Sequence, residues 1–202
     1  MPMTGRFGCT DATDLEITMG AATSPDPALA EKLRPVDGSR GGLAIGPGTM
    51  PISLRLLPAA QAGPEARSAV EQALVQALQL SVPLPTQPIA MGAHWTAQRT
   101  ISAAVTVTQR IDARLRSWTG DRLVVDVTVD ETPVNSVFTL PGSGQTLEIS
   151  RFANGGTGEV TMDLRRGLPV GGQITLTGAR ELVGADPAHP LLQQTGLSVR
   201  WR

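Results

Sequence analysis

The chain has 202 residues, 41% of them hydrophobic, with 17 basic and 18 acidic side chains and a net charge of −1. That is enough apolar material to bury a sizeable core, so a disordered chain is excluded, and the balanced charge supplies no field to gather nucleic acid or anionic lipid. Aromatics make up 3% and tyrosine is absent, too few rings for the stacking platforms of a single-strand nucleic-acid binder.

The lone cysteine, Cys9, allows no internal disulfide and no multi-cysteine metal site. No run approaches the roughly 20 apolar residues of a membrane helix, so no membrane span is expected. The opening residues MPMTGRFGCT lack the apolar region of a secretory signal, which makes the Gly8-Cys9 pair a poor lipid-attachment site.

Residues 1–13 read as a flexible tail, and 14–202 as a single β-rich domain. LEITM at 15–19 is the first strand. Pro27 opens a helical turn that runs through Lys32 before proline and glycine stop it. LAIGPG and PISLRLLP suggest two short strands. The segment 64–80 is the one extended helix: Pro64 suits its first position, Glu65 favours the positive end of its dipole, and Ala66, Val70, Ala73, Leu74, Ala77 and Leu78 share a face. Pro83, Pro85 and Pro88 end it.

Beyond Gly92 the pattern is β throughout. AVTVTQRIDARLRSW at 104–118 alternates, placing Val105, Val107, Ile111, Ala113 and Leu115 on one face and Thr106, Thr108, Arg110, Asp112 and Arg114 on the other. DRLVVDVTVDE answers with Leu123, Val125, Val127 and Val129 inward, across a turn in SWTGD. Separate strands follow at QTLEISRF, GEVTMDLR, GQITLTGAREL and GLSVRWR. The spacing predicts an antiparallel meander with one wet and one dry face. The fold class is therefore α+β and β-rich: a curved, half-barrel-like sheet whose concave, dry face is covered by helix 64–80. Val105, Val107, Val125, Val127, Val129, Leu147, Ile149, Val160, Met162, Leu164, Ile174 and Leu176 form that face.

Groups that bear chemistry are few. His94 and His189 are the only histidines, and neither has a neighbour at metal-ligand spacing. Ser143 lies between glycines in PGSGQT, but strands on both sides deny it the strand-turn-helix setting of a nucleophile elbow. Asp126 and Asp130 are roughly 13 Å apart along one strand, too far for a glycosidase pair, and with Glu131 they read as a solvated face. No catalytic, cofactor or metal site is assigned.

The stretch PLPTQPIAMGAHWTAQRT with its following strands, and GGTGEVTMDLRRGLPVGGQITLTG, resemble an uncharacterised family of bacterial secreted lipoproteins over about residues 60–202. The matching positions are Gly92 and Trp95, then Thr157, Gly158, Asp163, Leu164, Leu168 and Pro169. The resemblance implies a cell-envelope location and brings no activity and no catalytic residues. Members of that family begin with a signal peptide, a lipidated cysteine and a further β-rich segment. Without these the chain reads as a truncated relative, or as cytoplasmic if it is complete. The functional expectation is a non-enzymatic envelope protein that binds a lipid, another apolar ligand or a protein partner on the concave side of the sheet. The alternative is a structural or interaction module with a filled core, and a hydrolase comes third.

Overall fold

Eleven of the twelve side chains assigned to the dry face are buried, from Val125 and Met162 at 0% exposure to Val105 at 8%. Leu164 is the exception at 38%, because it sits in the turn after its strand rather than within it. The computed structural model describes residues 3–7, 15–101, 105–139 and 145–202. It is β-rich, 54% strand and 16% helix, and it divides into two units where the sequence suggests one domain. The boundary falls in the proline-rich stretch around 87–88.

The first unit holds the described residues up to Gln87, with Asp163–Leu168 and Arg202. Its strands β2 (Leu15–Met19), β3 (Arg40–Ile45) and β4 (Pro51–Leu57) pair antiparallel in that order, and β1 (Met3–Phe7) extends the sheet beside β2. The flexible tail expected over 1–13 is thus corrected at residues 3–7, whose backbone pairs with β2; its other positions, Cys9 among them, lie outside the described residues. Helix α1 (Pro27–Leu33) starts where the Asp26 carboxylate accepts from the Ala28 and Leu29 amides, the usual cure for unpaired N-terminal donors.

Helix α2 (Pro64–Gln79) has Pro64 and Glu65 in its first turn, as the sequence suggests. Its partner differs from the expectation. Ala66, Val70 and Leu74 pack with Met19, Leu33, Val36 and Ala62, and Leu78 packs against Leu15, Ile17 and Leu43. The stripe intended for the long meander is therefore spent on the sheet of the first unit. Only residues 58–63 separate β4 from the helix, and so short a connection returns it to the strand it has just left. Burial of Val70 and Leu74 stabilises this unit by about 1.5–3 kcal/mol each.

The second unit, Pro88–Met162 with Pro169–Trp201, is built on an open antiparallel sheet in the order β11-β10-β9-β7-β6-β5. Its strands are β5 (His94–Ile101), β6 (Val107–Thr119), β7 (Arg122–Pro133), β9 (Thr146–Asp163), β10 (Leu168–Val183) and β11 (Leu191–Trp201), with the short β8 (Val137–Thr139) pairing β9. The quoted alternating ribbon becomes β6. Its turn into β7 uses Gly120 at φ 57, where a two-residue hairpin loop needs a residue free of Cβ. Register sets Ile111 opposite Val129, Ala113 opposite Val127 and Leu115 opposite Val125.

The two strands read at QTLEISRF and GEVTMDLR are one strand, β9, 18 residues long. Its buried positions are odd at Leu147 and Ile149 and even at Val160 and Met162, and the alternation slips where Ser150 and Arg151 are both exposed. Glycines between these halves allow a close approach of backbones: a Cβ on Gly156 or Gly158 would collide with the β10 carbonyls of Thr175 or Gln173. They continue the strand rather than break it.

The assignment of faces carries a direct test. Val127→Asp puts an unpaired charge into a site 3% exposed and should cost about 4 kcal/mol or more, whereas Thr128→Asp on the exposed face should stay within about 0.5 kcal/mol. Thermal melts of the two variants decide it, and equal losses would refute the face assignment.

Candidate functional site

One polar rung crosses the dry face of the long sheet. The inward positions of β6 run Val107, Gln109, Ile111, Ala113 and Leu115, so Gln109, 1% exposed, interrupts an apolar column. Register places it between Arg99 of β5 and Glu131 of β7. Arg99 Nε donates to Gln109 Oε1 at 2.8 Å, and Gln109 Nε2 donates to Glu131 Oε1 at 2.8 Å. From β9, Asn154 Nδ2 donates to Glu131 Oε2 at 2.6 Å. Burial lowers the Arg99 guanidinium to about 10 while the Glu131 charge pulls the other way, so Arg99 stays cationic near neutrality. On β10 the rung meets Gly178, where a side chain would collide with Asn154 Oδ1.

Glu131 is therefore a correction: it does not belong with Asp126 and Asp130 on the solvated face. The signal was present, since Glu131 shares its parity with Val125, Val127 and Val129, and Gln109 shares that of Val107 and Ile111. Two polar residues at inward parity on neighbouring strands mark a rung that satisfies itself.

Open ground lies mainly on the opposite, polar face. One cleft of about 710 Å³ is bounded by Asp130, Thr132, Ala153, Gly155, Thr177 and Gln194, and it also touches Glu131 and Asn154 of the rung. A second, of about 520 Å³, gathers His94, Asp112, Arg114, Arg116, Asp126 and Glu159 from four strands. By contrast, an apolar pocket between Met19, Val36, Leu56, Ala62 and Val70 in the first unit encloses about 10 Å³, the space of a single water.

Arg116 organises the second cleft. The β6–β7 register shifts between Leu115 and Ser117, so Arg116 is the extra residue of a bulge, a device that re-aims a side chain. Its Nη1 lies 3.4 Å from Asp126 Oδ1 and 3.2 Å from Glu159 Oε2. All three side chains are about half exposed, which limits each pair to about 0–1 kcal/mol. Nearby, Thr96 Oγ1 donates to Asp112 Oδ1 at 2.6 Å and Arg110 Nε lies 3.0 Å from Asp112 Oδ2. The Thr96 hydrogen bond first, then that of Arg110, holds the Asp112 carboxyl below its ordinary value.

The other predicted positions scatter. His94 stands at the start of β5, in register with Arg114. His189 is in the loop before β11, its Nδ1 2.7 Å from Asp186 Oδ2, a contact that lowers the Asp186 carboxyl. Ser143 lies outside the described residues. Among the described residues no group of three or more His, Cys, Asp or Glu is placed to hold a metal ion, and no helix is long and apolar enough to cross a membrane. The second cleft offers charges of both signs and the Thr128 and Thr157 hydroxyls.

No protein-family model, no curated protein and no solved structure matches this chain. The motif residues of the lipoprotein resemblance have structural work of their own. Gly92 takes φ 78 ahead of β5, Gly158 admits the β10 backbone, and the Asp163 carboxylate and carbonyl accept from Arg165, Arg166 and Gly167 to close the β9–β10 turn.

Two measurements probe these arrangements. Gln109→Leu removes both bonds of the central rung member and should lower stability by about 2–3 kcal/mol in urea unfolding; a loss under about 0.5 kcal/mol would deny the rung its role. Thr96→Val should raise the Asp112 carboxyl toward its ordinary 3.8, read by NMR titration. Because the folded value is depressed, Asp112 contributes stability above the ordinary value and loses it as pH falls through the folded one. The variant should show less of this acid dependence.

Proposed function

We propose that this chain is a non-enzymatic binding module of the bacterial cell envelope, and that it engages a protein partner through the polar face of its six-strand sheet. The observation that carries this reading is the contrast between the two faces. Val125, Val129, Val160, Met162 and Ile174 are all 0% exposed, while clefts of about 710 and 520 Å³ open among polar side chains. Mixed charges around Arg116, with hydroxyls between them, favour a protein surface of alternating charge over a polyanion. The envelope location rests on the resemblance over residues 60–202.

Native mass spectrometry of the purified chain, with organic extraction of the same sample, should find bare polypeptide. A stoichiometric lipid adduct would overturn this reading in favour of an apolar ligand. A photo-crosslinker at Thr157, exposed in the second cleft, should capture one discrete protein adduct in cells; diffuse labelling would count against a specific partner.

A further inference from the structure

Strand β11 ends the sheet, and among the described residues only β10 pairs with it. Its eleven residues, LLQQTGLSVRW, run in unbroken register against β10 from Leu182↔Leu191 to Gly172↔Trp201. At ~3.3 Å per residue this leaves roughly 36 Å of edge with unpaired backbone donors and acceptors. Edges are usually guarded by lysine, proline or a bulge. None occurs within β11, whose single charge is Arg200. Leu191 and Leu192, at its start, are 59% and 64% exposed.

We infer that β11 pairs antiparallel with β11 of a second copy about a twofold axis at Gly196, joining two six-strand sheets into one. A twofold axis perpendicular to the sheet keeps both dry faces on the same side, which requires odd residues to face odd and even to face even. Centred on Gly196, the ladder takes in all eleven residues. A centre one residue earlier sets Arg200 against Pro190, which has no amide hydrogen to give, and one residue later sets Leu191 and Leu192 opposite positions past Trp201, where β11 ends.

The side chains agree with this register. Exposed Leu191 meets Trp201 of the second copy, once at each end of the ladder. Leu192 meets Arg200, Thr195 meets Leu197, and no two charges of like sign stand opposite each other. Arg200 Nε donates to Gln173 Oε1 of β10 at 2.9 Å. At the centre, the space beside the Gly196 Cα is open. The pairing uses the strand edge and not the Arg116 cleft, so it can fail while the function proposed above stands.

Sedimentation equilibrium of the intact chain over about 1–100 µM should show a dimer. Leu192→Lys sets an ammonium opposite Arg200 at two equivalent places and should weaken the dimer about tenfold, while Leu192→Glu should tighten it by a similar factor. Leu192 is exposed, so both variants should melt close to the parent. Equal weakening by the two charges would overturn the register, since it would report only a lost apolar contact. A chain that stays monomeric throughout would overturn the pairing itself and leave this edge to a strand of a different protein.

Discussion

The strict segregation of apolar and polar side chains across the long sheet is the constraint on which the rest depends. A slip of one residue in β6 would turn Arg110, Asp112 and Arg114 inward and Ile111, Ala113 and Leu115 outward. Two features hold the register against that slip. Turn geometry at Gly120 sets the β6–β7 hairpin, and the rung from Arg99 through Gln109 and Glu131 to Asn154 can close only when its members stand level across four strands. In any other register those polar groups would lie against valine and leucine without partners, at a cost of several kcal/mol.

The departures from regular alternation are where the molecule acquires its features. The bulge at Arg116 carries that guanidinium to two carboxylates on different strands. The slip at Ser150–Arg151 lets β9 continue for 18 residues with its inward set changed from odd to even. Glycines at 156 and 158 let β9 and β10 approach where side chains would hold them apart. Each departure is local, and each shifts side chains on the polar face or lengthens the sheet that carries them.

The carboxylates of Asp126 and Glu159 share one guanidinium in solvent-exposed positions. The side chains of the dry face are buried, and the apolar pocket of the first unit encloses only about 10 Å³.

Much of this fold was legible in the amino-acid order. The alternation of β6 and β7, the helix at 64–80, the turn at Gly120 and nearly all the buried valines follow from local periodicity, because side-chain direction in a strand or helix repeats over two to four residues. What helix α2 covers, the division into two units, the union of two predicted strands in β9 and the inward position of Glu131 did not follow. Those depend on which distant segments meet: six residues between β4 and α2 return the helix to its own sheet, and Gln109 becomes the partner of Glu131 only once β6 and β7 are aligned. Periodicity determined the elements and the directions their side chains face, and tertiary pairing decided their neighbours, since a contact between residues far apart in sequence leaves no local repeat to read.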